Sequence, residues 1–263
     1  MSQVELAYMT WKEVEAARDR GAAVLVPIGT HEQNGTLGPM GTDGLLVFEL
    51  TKRIAAETGA VVTPLVSYGY SPRHRNFCGT ISLKPDTLRM LIYDICEALV
   101  KDGFKHILLV NSHQTNEPLM EHAGREIREK YGVIMGYINP VVLAEKSTHD
   151  LYPKLGSAHG HGDERVTSML SYCLPGAVRM KVPPEPQDWK EFEGMKLASS
   201  HQVKVGEGVF GLYMEVHDFS PSGGNGNPAA VDIDKGAEVV RRVVHMAVEY
   251  VKVFLKVRTT GRP

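Results

Sequence analysis

The chain has 263 residues, is 43% hydrophobic and carries a formal net charge of -2. That composition supports a full core, and nothing in the length forces a division, so residues 1–263 are expected to form one domain. Scattered Lys and Arg exclude the concentrated basic surface that nucleic acid or an anionic membrane requires, which leaves a small polar molecule as the expected partner. Cys78, Cys96 and Cys173 are odd in number and lack metal-type spacing, so no disulfide framework is expected. The N-terminal stretch has no basic start followed by an apolar core, and no later run is long enough to span a bilayer. A cytoplasmic protein without signal peptide or anchor is the expectation.

Thr10 before WKEVEAARDRG reads as the N-cap of a short amphipathic helix ended by Gly21. Ala22 to Ile28 follows as an apolar run of the buried parallel-strand kind, and it stops in a Gly-rich loop holding His31, Glu32, Asn34 and Asp43. Thr42 or Asp43 caps a second helix, with Leu46, Leu50, Ile54 and Ala55 at helical spacing. VVTPLVSYG reads as a second strand. The next loop, punctuated by Pro72 and Gly79, carries His74 and Arg75 before Pro85 opens a third helix with a stripe of Leu88, Leu91, Ile92, Ile95 and Leu99. HILLVNSH is a third strand, ending in the polar turn NSHQTNEP ahead of the helix LMEHAGREIREKYG. VIMGYINPVV is a fourth apolar run. SAHGHGDERVTSMLSYCL then sets His159, His161, Asp163 and Glu164 around the Gly-rich start of another helix. Residues 183–205 read as an excursion over the surface, SPSGGNGNPAAVD as an ordered loop, and DKGAEVVRRVVHMAVEYVKVFL as a long closing helix. The alternation of strands and helices predicts an α/β fold.

Open α/β sheets bind ligands at the carboxyl ends of their strands, and three polar clusters fall at such ends. Divalent metals are held by carboxylate oxygen and imidazole nitrogen, with one position left open in a hydrolytic site. Glu32, Asp43, His113 and Glu164 supply that ligand set. Each also has an ordinary reading: Asp43 as a helix-capping or dipole-facing acid, Glu32 as a solvated loop residue, His113 as a turn residue, and Glu164 as a first-turn acid. His159 and His161 alternate with glycines, either for close backbone approach to a ligand or as part of a surface loop. His201, His217 and His245 read as ordinary histidines.

The segment PIGTHEQNGTLGPMGTD resembles the creatininase (creatinine amidohydrolase) family signature, an E-Q-H-G segment followed by L-P-x-G-T-D. HRNFCGTISL resembles the family's H-x-x-F-P-G-T-I-S, NSHQTN its N-G-H-G-G-N, HGDERVTS its H-A-G-E-x-x-T-S, and GNGNPAAVDIDKG its G-x-x-G-x-P-x-x-A-x-x-E-K-G. The resemblance implies a three-layer α/β/α fold with a mostly parallel central sheet and a divalent-metal centre of one or two ions, Zn or Mn, that hydrolyses amide bonds in small, often cyclic molecules. It makes Glu32, Asp43, His113 and Glu164 the metal ligands, with Asp43 the bridge if two ions bind. His161 and Glu164 become the catalytic pair, His161 as proton donor or oxyanion partner, and Asn34, His74 and Asn116 line the substrate. A homo-oligomer, plausibly a hexamer, is the expected assembly. Two departures stand out: Asn34 replaces the family's histidine, and Gln114 and Thr115 replace glycines.

Glu32, Asp43 and Glu164 would bring three negative charges, which favours two ions, or one ion with a carboxylate that is protonated or acts as base. The leading expectation is a metal-dependent hydrolase of a small cyclic amide or lactam, with the ion activating the attacking water. Hydrolytic ring opening of a cyclic ketone, such as an oxidised cyclitol, is the neighbouring alternative, for which Asn34, Gln114, Thr115 and Asn116 suit a polyol. A metal-depleted ligand-binding or assembly protein is the alternative of another class.

Overall fold

The computed structural model describes residues 3–153, 161–179, 190–227 and 230–258. His159, residues 183–189 of the expected excursion, and the 228–229 part of the C-terminal loop lie outside them. Helix α1 (Trp11–Asp19) starts as the sequence predicts, with Thr10 and Glu13 forming a reciprocal capping box. Strand β1 (Val24–Ile28), helix α2 (Thr42–Thr58), strand β2 (Val61–Val62), helix α3 (Pro85–Lys101), strand β3 (Ile107–Asn111), helix α4 (Glu117–Tyr131) and strand β4 (Gly136–Ile138) then alternate. The four strands are parallel in the order β2-β1-β3-β4.

Side chains alternate across this sheet because the strand repeat is two residues. Leu25, Leu108 and Val110 pack into one core with α2, helix α5 (Pro140–Ser147), helix α6 (Glu164–Cys173) and helix α7 (Ile233–Phe254). Val24, Val26, Ile28, Ile107 and Leu109 pack into the other with α1, α3 and α4. The result is the three-layer α/β/α arrangement with a parallel central sheet. From β1 the chain steps outward to β2, and from β3 outward to β4, so the gap between β1 and β3 is the switch point where ligands collect in such folds. Ile28 pairs with Asn111 at this end, and both strands run from there directly into the polar loops.

The second expected strand is much shorter than VVTPLVSYG: only Val61–Val62 is continuous, with a single parallel bridge from Ile28 to Val66. Pro64 lacks the N–H that a longer ladder needs. From residue 190 onward the surface excursion proves more ordered than its composition suggests. Strands β5 (Glu191–Phe192), β6 (Met195–Ser199), β7 (Gln202–Val205) and β8 (Gly208–Gly211) form an antiparallel meander around Leu197 and Val203. Its turns are tight, with Gly194 and Gly206 at positive φ. Among the described residues no helix is long and apolar enough to cross a membrane. The three cysteines are free.

One close contact seats α2 on the sheet end. A Cβ on Gly29 would lie 2.4 Å from Gly44 Cα, so only paired glycines allow the first turn of α2 to approach β1 this closely. Gly29→Ala is expected to destabilise the protein by about 3 kcal/mol through forced separation of backbone. Gly124→Ala, in an α4 position with open space around it, is expected to stabilise by about 1 kcal/mol through helix propensity. Urea denaturation of the two variants against the unaltered chain checks both signs.

Candidate metal centre

Glu32 follows β1 in a loop closed by its own N–H, which donates to Met40 O at 2.9 Å. This turns the side chain inward, where it is completely buried. Neither carboxylate oxygen has a well-directed hydrogen bond. Three imidazoles converge on Oε1: His113 Nδ1 at 3.2 Å, His161 Nε2 at 3.6 Å and His74 Nε2 at 3.8 Å. Asp43 completes the group, its Oδ2 lying 3.2 Å from His113 Nδ1 and accepting from Thr30 Oγ1 at 2.8 Å. Asp43 sits inside the first turn of α2, whose N-cap is Gly41, and its side chain is turned to the cluster rather than to the helix end.

The donor atoms fall into two groups, Glu32 with Asp43 and His113, and Glu32 with His74 and His161, each within 4.8 Å. Glu32 is common to both, the place that the family resemblance gives to Asp43. A buried carboxylate short of hydrogen bonds, facing nitrogen and oxygen donors, is what a bound divalent cation would neutralise, so the residues fit the metal that the resemblance implies.

Each ring is held by a specific contact. Asn111 grips the His113 backbone, Nδ2 donating to its carbonyl at 2.7 Å and Oδ1 accepting from its N–H at 3.2 Å. His113 Nε2 lies 3.2 Å from Tyr70 O and also meets Thr115 Oγ1, which itself donates to Tyr70 O. A carbonyl only accepts, so Nε2 carries hydrogen and Nδ1 is the atom turned to the carboxylates, the one whose lone pair would bind an ion once its proton is displaced. His74 stacks on His161 with ring centroids 4.3 Å apart. Burial, reinforced by neighbouring His161, pushes the His74 pKa down to about 2, so its ring is neutral. For His113 burial works in the same direction, but Glu32 and Asp43 outweigh it and raise the pKa to about 10 without metal. Burial opposes the Glu32 charge too, and the facing histidines, His113 foremost, hold its carboxyl well below the usual carboxylate range.

Other residues expected at the site stand elsewhere. Glu164 opens α6 and its Oε2 accepts from Asn227 N at 2.8 Å, outside both donor groups. Asn116 is completely buried; Nδ2 donates to Gly29 O and Asn111 Oδ1, while Oδ1 accepts from Tyr70 N. Its amide ties three loops together and has little capacity left for substrate. Asn34 Oδ1 accepts from Gly162 N at 3.0 Å, which turns Nδ2 toward Asp43 Oδ1 at 3.5 Å. His31 points elsewhere, its ring 6.1 Å from that of Tyr68.

A cavity of about 100 Å³ opens beside Asp43, His74, His113 and His161, and Arg73 and Arg165 also line it. The sequence singled out Arg75, which is exposed, whereas its neighbour Arg73 faces the cavity and donates to Ser200 Oγ at 2.7 Å. Only the position of Arg73 beside His74 could have flagged it. A larger cleft of about 690 Å³ between α4 and β4 contains none of the cluster.

This fold and this cluster define a metal-dependent hydrolase. The family model for creatininase, described as creatinine amidohydrolase, matches residues 7–251, and the chain belongs to the creatininase family. It is 32% identical over 186 residues to the creatinine amidohydrolase of Pseudomonas putida, covering 65% of this chain and 72% of that one. It is 27% identical over 106 residues to the 3-dehydro-scyllo-inosose hydrolase of Thermotoga maritima, covering 40% of this chain and 34% of that one. A solved structure described as creatininase Mn superposes with a TM-score of 0.80 at 23% identity, covering 97% of this chain and 100% of the other.

Because His113 holds a proton in the metal-free protein up to pH about 10, an incoming cation must displace it. Raising the pH removes the competing proton, so Zn affinity is expected to rise about tenfold per unit between about pH 6 and 9, with about one proton released per ion. Titration calorimetry in buffers of different ionisation heat measures both. A pH-independent affinity would remove His113 from the ligand set.

Proposed function

We propose that this protein hydrolyses a small polar substrate by adding water across a carbonyl, with the amide bond of a cyclic molecule or lactam as the first choice. The reading rests on Glu32, a fully buried carboxylate without a directed hydrogen bond, set against Asp43 and His113 at the switch point of the sheet. Glu32, Asp43 and His113 would hold a divalent ion, Zn or Mn, which supplies Lewis acidity and lowers the pKa of water. His161 donates through Nδ1 to Gln33 O at 3.3 Å, so Nε2 faces the centre as an acceptor. There it takes the proton of the attacking water and returns it to the departing nitrogen. Arg73 at the wall of the cavity offers donors for polar substituents, and Ser112 Oγ, which donates to Asp43 O, offers an acceptor.

Ring opening of an oxidised cyclitol is the second reading, supported by the likeness to the inosose hydrolase and by the polar wall of Ser112, Gln114 and Ser200. Asn34 and Asn116 contribute little to it, since their amides are engaged within the protein. Self-association belongs to the same proposal. Val205, Val209, Phe210 and Tyr213 are all exposed on and beside the β7–β8 hairpin, an apolar surface suited to a second copy.

Incubating Zn- or Mn-loaded protein with lactams, formamides and ketocyclitols is expected to reveal turnover of one class, lost with a chelator and restored by the ion. Glu32→Gln and His113→Ala are each expected to lose the ion and to reduce turnover by about 10³-fold or more, while keeping a cooperative thermal transition. Full activity in either variant would mean the centre lies elsewhere. By light scattering the unaltered chain is expected above the monomer mass, with Phe210→Asp shifted toward monomer; a monomeric unaltered chain would refute self-association.

A further inference from the structure

We infer that His74 is a fixed hydrogen-bond donor to the substrate and not a metal ligand, because Gln33 locks its ring with hydrogen on Nε2, and that the centre accordingly holds one ion per chain. The inference takes the reaction from the proposal above, but the tautomer and the ion count stand apart from substrate identity.

The lock is an amide with no freedom to turn. Gln33 Oε1 accepts from Gly35 N at 2.9 Å, and Nε2 donates to Gly223 O at 3.0 Å. An N–H cannot face the amide NH2 and a carbonyl cannot face the amide oxygen, so these two contacts fix which end of the side chain is which. The remaining N–H of Gln33 points at His74 Nδ1, 2.8 Å away. His74 Nδ1 must therefore be the acceptor, and the hydrogen of the neutral ring sits on Nε2, the atom turned to the centre. The seat is closely shaped: a Cβ on Gly223, which has φ +74°, would lie 2.2 Å from Gln33 Oε1.

The three histidines thus present different atoms to the same carboxylate. His113, backed by Tyr70 O, turns to it an Nδ1 whose lone pair is bared when an ion displaces its proton, His161 an Nε2 lone pair backed by Gln33 O, and His74 an N–H. A metal needs a lone pair, so the second donor group keeps only Glu32 and His161. Among the described residues no other donor joins this group: Glu164, whose Oε2 accepts from Asn227 N, stands outside it, and the Asn34 oxygen accepts from Gly162 N. Two protein donors fall short of the three or four that zinc sites use. Charge agrees: Glu32 and Asp43 carry two negative charges, which one divalent ion neutralises. A neutral imidazole N–H at the cavity wall is suited to a carbonyl oxygen that gains negative charge as water adds.

Long-range 15N–1H correlation spectra of the full chain report the tautomers directly. His74 is expected protonated at Nε2 and bare at Nδ1, with His161 the reverse; protonation of His74 at Nδ1 overturns the proposal. Elemental analysis after zinc loading is expected to give one ion per chain in the unaltered protein and in His74→Asn, and near none in His113→Ala. Two ions in the unaltered protein, or an ion lost in His74→Asn, overturn it. With a substrate from the screen, His74→Asn is expected to lower kcat by about 10²–10³-fold with little change in KM. In Gln33→Met no donor faces Nδ1, the hydrogen of the ring is free to move there and bare the Nε2 lone pair, so a second zinc ion is expected. If that variant does not fold, the spectra and the His74→Asn ion count decide the matter. Absence of turnover on every substrate would defeat the functional proposal and leave the tautomer and ion count to be read.

Discussion

A carboxylate with no exposed surface and no directed hydrogen bond, held at the end of a fully buried strand, is the feature on which this structure depends. Taking Glu32 out of water is unfavourable unless positive charge compensates it, and the protonated His113 does so, with His161 and His74 turned to the same oxygen. Register delivers them. Pairing Ile28 with Asn111 brings the loops after β1 and β3 to the same level, and the Gly29–Gly44 contact lets α2 add Asp43 from the side. The apolar strands are thus the rigid base, and the chemistry sits where their hydrogen-bond ladder ends.

Around the charged groups lies a ring of amides. Gln33, Asn34, Asn111 and Asn116 each donate and accept at once, linking the ends of β1 and β3 to the loops at Tyr70, Gly162 and Gly223. An amide can orient a neighbour without adding charge to a site that already holds two carboxylates. Asn34 illustrates the consequence of replacing a histidine. Its side chain braces Asp43 against the Gly162 backbone, so a position that the family pattern gives to an imidazole becomes part of the scaffold.

Much of the fold was legible along the chain. The capped start of α1, the apolar strands β1 and β3, the Pro85 helix opening and the C-terminal helix all follow from local signals that the structure retains. The meander of β5 to β8 was not, because its strands are two to five residues long and alternate weakly among Lys, Glu and Gly. At the site, the types and strand-end positions of Glu32, Asp43 and His113 were readable. The place of Glu164 outside both donor groups was not, because Asn227, whose N–H its carboxylate accepts, lies 63 residues further on.

The sequence by itself determined a parallel α/β protein of the creatininase family whose polar loops carry carboxylates and imidazoles at the strand ends. Residue type and hydrophobic period are local properties, and they suffice for that. Only the tertiary structure decided which oxygen lies among the histidines, which asparagines face inward as struts, and which nitrogen of each imidazole is turned to the centre. Those choices rest on hydrogen bonds between segments far apart in the chain, such as Gln33 with Gly223 and Asn34 with Gly162, and a ring nitrogen becomes donor or acceptor only when its distant partner is in place.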